Sequence, residues 1–245
     1  EARTSQSRLE QLFAARIPKE GLDVAQIVVS NTTAWAPGLV SNDDWKKWAR
    51  GEKSIEKTDA APKLEYVDAI FRRRFSQISK MTIQVVHDVL EKSQCGKDTP
   101  QVFISHRGEL AREFAVSKMI VEEKEVLPAS FSLSVFNTPI ALASIALGLH
   151  GGYSAVFPSK GNFRSAFEGA CASVLSGTET EVVLVYADEL VPEAYESLGT
   201  ENCDPFAFAA VLSLSKSGVR ISDVSAVSEN AADFLKDIIL EDTSF

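Results

Sequence analysis

The 245-residue sequence is poor in the residues that most often carry metal or redox chemistry: three cysteines, three histidines and two methionines. Cys95, Cys171 and Cys203 are far apart, odd in number and form no CxxC pair. That spacing indicates neither a disulfide framework nor a zinc site, and fits a reducing cytoplasm. His87, His106 and His150 fall in no HExxH pattern, so neither a metal nor a cofactor is expected. Positive charge is also short. Twenty-five Lys and Arg against 34 Asp and Glu leave a net charge of −9, which disfavours nucleic acid as a partner. No apolar run approaches the ~20 residues of a membrane-spanning helix. Residues 1–21 hold no apolar signal core, and Leu9, Leu12, Phe13 and Ile17 suggest a short amphipathic helical extension instead. GxSxG is absent as well.

What is present is an ordinary core-forming composition, 45% hydrophobic and 24% charged. Asp23–Ser30 reads as a first strand, and a short helix is capped near Ser41 or Asn42. Ile78, Met81, Val85, Val86, Val89 and Leu90 form one helical stripe in the segment that follows Arg72–Arg74. "QVFIS" is a strand, and Glu109–Glu123 a helix. "PASFSLSVFNTP" reads as extended, and "IALASIALGL" as a buried helix. Tyr153–Phe157 reads as a strand and Phe163–Leu175 as a helix with apolar residues at i, i+3, i+4, i+7. Glu181–Ala187 is an apolar strand buried on both faces. "PFAFAAVLSLSKSGVRISDVSAV" reads as two strands joined near Ser217–Gly218, and "ENAADFLKDIIL" as a last helix. Strands that alternate with helices imply α/β layers.

Lys160 stands at the tip of the turn between strand and helix, where a helix N-terminus can depress an amine pKa. A Schiff-base role is one reading and a plain surface or interface lysine the other. Cys171 lies on an apolar stripe and reads as core. Ser105 and His106 follow a strand, where α/β folds place sites. Neighbours on an extended segment point apart, so a loop fixed by polar contacts is the simpler account. Arg72–Arg73–Arg74 can bind anions or pair with internal acids. Asp188–Glu189 can serve acid–base work, or one acid can pair with an arginine.

"FNTPIALASIALGLHGGYSAVFPSKGNFRSAFEGACASVLSG" (136–177) resembles the nucleophile region of β-ketoacyl synthases. Gly151–Gly152 stands for the family's Gly-Pro. Ungapped counts forward from there and back from Gly177 both put Lys160 at the cysteine position. "AWAPGL", "RRRFSQISKM", "FISHRGELARE" and "YADELVPEAY" extend the likeness to a short branch of ketosynthase-like N-terminal domains of aryl polyene clusters, themselves similar to chain length factors.

The resemblance implies a single thiolase-like half of α-β-α layers over 22–227, after the extension at 1–21 and before a C-terminal helix or tail at 228–245. It also implies a non-catalytic subunit. The cysteine is replaced, and the half that carries two histidines in full synthases does not appear in this sequence. The partner would be a complete β-ketoacyl synthase, in a heterodimer or larger assembly, with acyl carrier protein met indirectly. Ser134, Phe136, Asn137, Tyr153, Ala155 and Phe157 are the expected tunnel and interface residues. The rival readings are a stand-alone acyl-thioester enzyme that uses Lys160 or Ser105/His106, and a pure assembly scaffold.

Overall fold

The computed structural model describes residues 26–158, 162–198, 203–214, 217–221, 228–242 and 245. The expected N-terminal extension and Lys160 lie outside the described residues. Six strands form one sheet: β1 (Val28–Trp35), β2 (Gln101–Ile104), β3 (Tyr153–Val156), β4 (Glu181–Asp188), β5 (Phe206–Ser213) and β6 (Val219–Arg220). Their spatial order is β3-β2-β4-β5-β1-β6. β2 runs parallel to both β3 and β4, whereas β5 is antiparallel to β4 and β1.

The two central strands show why the sheet is covered twice. β4 and β5 are apolar at successive positions, so both faces must be buried. Val182, Leu184, Tyr186, Phe206, Phe208, Ala210 and Leu212 feed one core, and Val183, Val185, Ala187, Ala207, Ala209 and Val211 feed the other. α1 (Asn42–Ala49), α7 (Phe163–Leu175) and α8 (Ala231–Glu241) cover the first face, and α3 (Gln77–Lys92) with α6 (Thr138–Leu147) covers the second. The layers are therefore α-β-α.

α1 starts at a capping box. Ser41 Oγ accepts the Asp44 N–H at 3.2 Å, and the Asp44 carboxylate accepts the Ser41 N–H at 3.1 Å. α7 buries Phe163, Ala166, Phe167, Ala170, Cys171 and Val174, the stripe that its sequence announces. Phe234 of α8 packs 5.1 Å from the ring centroids of both Phe163 and Phe167. The last helix thus shares the core of β4 and β5.

Several elements differ from expectation. β1 begins later and runs through "NTTAW", because a bulge at Asn31 (φ 53°) re-aims the strand and keeps it paired with β5. α3 is one part of the expected helical stretch. A separate turn, α2 (Ala69–Arg72), precedes it, and Ser76 caps the new start. "PASFSLSVFNTP" is not extended. Pro128 opens a short helix, α5 (Pro128–Ser132), since its fixed φ suits a first helical position. α6 is buried on one side only, and Ile145 is 66% exposed. β5 and β6 do not pair with each other, because β1 lies between them. Gly218 makes that crossing possible, for a Cβ there would collide with the Val29 carbonyl oxygen.

Removal of the ring in Phe234→Ala is expected to cost ~3–5 kcal/mol, as for other buried aromatics. Phe131→Ala, whose ring is 57% exposed, is expected to change stability by less than ~0.5 kcal/mol. Urea denaturation of the two variants checks the difference; equal losses would show that α8 is not part of the main core.

Candidate functional site

Because β2, β3 and β4 are parallel, their carboxyl ends lie along one edge of the sheet. The segments that leave this edge begin at Ser105, Phe157 and Glu189. Open α/β sheets place ligands at such an edge.

Asp188, the last residue of β4, is the hub. Its carboxylate is buried and accepts from Ser105 Oγ at 2.8 Å, Tyr186 Oη at 2.6 Å, the His106 N–H at 3.1 Å and the Arg107 N–H at 3.2 Å. Arg107 Nη1 stands 3.6 Å away and His106 Nδ1 3.2 Å away. Burial alone pushes this carboxyl up. The hydrogen bond and charge of His106, the Tyr186 hydroxyl and the charge of Arg107 outweigh it and hold the group below the usual aspartate range. The same burial, with the neighbouring Asp188 charge, drives the Tyr186 phenol well above its ordinary value.

Ser105 is fully buried. Its Oγ donates to Asp188 and accepts the Gly108 N–H at 2.7 Å and the Arg107 N–H at 3.2 Å. It closes a turn and is not presented to solvent as a nucleophile. His106 leaves the turn in another direction, as neighbours on an extended segment do, and its Nδ1 lies 2.9 Å from Tyr186 Oη. The polar-contact account of this loop describes what is seen.

Beside the hub is an open cleft of about 260 Å³ lined by His106, Arg107, Tyr186, Asp188, Cys203, Asp204, Phe206, Glu229, Asn230 and Ala232. Arg107 Nη2 donates to Cys203 Sγ at 2.6 Å. Cys203 is half-buried, whereas Cys171 is enclosed in the core, where burial pushes its thiol up to about 12. Sequence distance hid the Cys203–His106 neighbourhood, because 97 positions separate them (203 − 106). The only signal in the sequence was a cysteine placed in a polar loop.

Glu189 and Glu109 form a second buried group. Glu109 accepts from Ser76 Oγ at 2.7 Å, Ser79 Oγ at 2.5 Å and Arg112 Nε at 3.0 Å. Glu189 accepts the Ala111 N–H at the start of α4 (Leu110–Glu122) at 2.8 Å. Burial pushes Glu189 up to about 7, and the Glu109 charge adds to the rise. The arginine run is divided between tasks. Arg72 donates to the carbonyls of Lys63 and Leu64, and the Arg74 carbonyl accepts from Arg112.

The residues expected at a tunnel or interface gather around β3. Among the described residues this strand pairs with β2 alone, so there its outer edge carries backbone groups without a ladder partner. Asn137 Nδ2 donates to Tyr153 Oη at 3.0 Å. The half-buried Phe136 ring meets Phe157 edge-on at 6.3 Å and lies 6.2 Å from Phe103. Phe157 is 61% exposed and Ala155 is exposed. Ser134 is half-buried and donates to the Phe131 carbonyl at 2.8 Å. Among the described residues no helix is long and apolar enough to cross a membrane, and no group of three His, Cys, Asp or Glu could hold a metal.

No curated protein matches the chain. Among solved structures, it is similar to one titled a ketosynthase (ApeO) in complex with its chain length factor (ApeC) from Xenorhabdus doucetiae, with TM-score 0.71 and 20% identity over 88% of this chain and 92% of that one. It is similar too to the ishigamide ketosynthase/chain length factor, with TM-score 0.58 and 13% identity over 79% of this chain and 63% of that one. A third likeness, with TM-score 0.56 and 13% identity over 76% of this chain and 62% of that one, is to a type II polyketide acyl-carrier protein in complex with its ketosynthase (AntDE:AntF). The chain therefore spans under two thirds of the second and third relatives. These likenesses show the fold, the thiolase-like α/β arrangement of ketosynthases. A family model described as the β-ketoacyl synthase N-terminal domain matches residues 45–236, and the chain belongs to that family.

Proposed function

We propose that this protein is a non-condensing, chain-length-factor-like subunit that pairs with a complete β-ketoacyl synthase and shapes its acyl tunnel. The observation that carries the reading is the outer edge of β3, which pairs with no other strand among the described residues and carries exposed Tyr153 and Phe157. An exposed strand edge with apolar neighbours invites another chain, and native proteins seldom leave one uncovered. Two of the similar structures bear titles that pair a ketosynthase with a chain length factor, which supports the choice of partner. Lys160, at the position that the family gives to cysteine, supports a subunit that does not condense.

In this reading the Phe136–Phe157 pair closes or lines the far end of a partner's tunnel. Tyr153, Ala155 and Phe157 alternate with Ser154 and Val156, and Val156 packs toward the α7 face of the sheet. Tyr153 and Phe157 meet Asn137 and Phe136 on the α6 side. In this reading that side faces the acyl chain.

Co-expression with ketosynthases of the same pathway is expected to give a stable complex, detected by size-exclusion mass measurement. Obligate pairs of this kind bury more than ~2,000 Å² in total. A well-behaved monomer that ignores each of those ketosynthases would defeat the reading.

Lys160→Ala is expected to leave assembly and condensation by the complex largely intact. Lys160→Cys is expected to give no condensation unaided, because groups that act as a unit fail as a unit. A Lys160→Cys chain that condensed malonyl and acyl thioesters alone would refute the proposal.

In the reconstituted complex, Phe157→Ala or Phe136→Ala is expected to lengthen products by a few carbons. Ser134→Trp or Ala155→Trp is expected to shorten them. One methylene that fits or clashes is worth ~1–3 kcal/mol, enough to shift the product distribution. Mass spectrometry of released acyl chains reads the outcome, and constant length in four assembling variants would leave a scaffold.

A further inference from the structure

We infer that Glu109 and Glu189 form a proton-operated latch at the start of α4: with Glu189 protonated the helix start is closed against the sheet, and with Glu189 ionised it opens to water. The latch is independent of any partner chain.

The two carboxyl groups stand at neighbouring exits of the sheet, Glu109 after β2 and Glu189 after β4, and the residues are only 1% and 2% exposed. Their donors are unequal. Glu109 accepts from the Ser76 and Ser79 hydroxyls and from Arg112 Nε, and Arg112 also donates through Nη2 to the Arg74 carbonyl. Among the described residues no Lys, Arg or His forms an ion pair with Glu189. Glu189 accepts the Ala111 N–H at 2.8 Å instead, and the Ile78 amide gives it further support. Arg112 acts on it only from a distance. An ionised Glu189 is thus a second buried negative charge that must share one arginine with the first, which burial makes costly. The other charged groups on the wall of this site, Asp59 and Glu193, are acidic too. From α3 the site receives Ser76, Gln77, Ile78 and Ser79, all uncharged. The carboxylate of neighbouring Asp188 is turned to the 105–107 turn.

α4 is the part able to give way. Val116 is its one buried residue. The segment that carries Glu189 is held more firmly, because the Leu190 N–H donates to Gln77 Oε1 at 2.8 Å. An open cleft of about 560 Å³, lined by Ser76, Gln77, Ala111, Phe114 and Glu189 among others, brings water to the contact. Local opening begins where few buried contacts hold an element. Burial, with the Glu109 charge, raises the Glu189 carboxyl from an ordinary 4.5 to about 7 in the closed arrangement. The closed form therefore binds the proton more tightly than the open one. Closure is favoured at low pH and weakens as pH rises from 4.5 through about 7.

Hydrogen–deuterium exchange of the full chain, read by peptide mass and corrected for intrinsic chemical exchange, tests the latch. Linkage between those two values makes opening about 10-fold more frequent at about pH 8 than at about pH 6. The amides of 110–116 are expected to lose protection by that factor, while those of α7 keep theirs. Glu189→Gln retains an oxygen for the Ala111 N–H and cannot ionise; checked for folding by circular dichroism, it is expected to abolish the difference. In the wild-type chain, a protonated-carboxyl infrared band is expected to disappear over the same pH range as the protection. Equal protection of 110–116 at both pH values would overturn the latch, and so would a pH difference that survives in Glu189→Gln, which would assign it to another group such as His106. A wild-type chain whose carboxyl band is lost wholly in the ordinary glutamate range would overturn it without any variant.

Discussion

A single buried carboxylate organises the end of the sheet where chemistry belongs. Asp188 closes β4 and gathers a hydroxyl from β2's exit, a phenol from its own strand and two backbone N–H groups from the following turn. A buried charge survives only when its lone pairs are satisfied, and here they are. Loss of the carboxylate would strand several of these donors, at ~1–3 kcal/mol for each one left without a partner. The path of the 105–108 turn, and with it the position of His106 and Arg107, therefore follows from Asp188.

The rest of the sheet explains why this end is rigid. β4 and β5 pair over eight positions, from Glu181↔Ser213 to Asp188↔Phe206, and their alternating residues enter two separate cores. Tyr186, Phe206 and Phe208 stack at 5.1 to 6.4 Å beneath the cleft. Two buried strands between helical layers leave little room to shift, because interiors pack as densely as organic crystals. At the opposite margin, β3 is short, has one neighbour among the described residues and exposes Tyr153, Ser154 and Ala155. Rigidity and openness are thus separated across two strands.

Elements governed by local rules were legible in the sequence: the Ser41 cap, the stripe of Phe163–Leu175 and the apolar run of β4. Elements governed by tertiary context were not. The bulge at Asn31 and the passage of β1 between β5 and β6 depend on contacts far apart in the chain. The cluster around Asp188 joins positions 105–107 to 186–188 and 203, and no local pattern announces such a meeting. The apolar residues near β3 were readable as a group, since Asn137, Phe136, Tyr153 and Phe157 lie on neighbouring segments. Their exposure was not, because a short apolar strand reads the same at an edge and in a core.

The cleft and the open edge meet at one residue. Gly108 ends the turn that Ser105 closes, and its backbone is left-handed at φ +58°. A Cβ there would stand 2.8 Å from the Phe136 ring, so only glycine lets the ring seat against the turn. Phe136 in turn meets Phe157 on the exposed face. A chain docked over Phe157 would therefore press, through one aromatic ring, on the same turn that carries His106 and Arg107. The turn beside the cleft and the exposed aromatic pair thus share one point of contact, the close seat of Phe136 on Gly108.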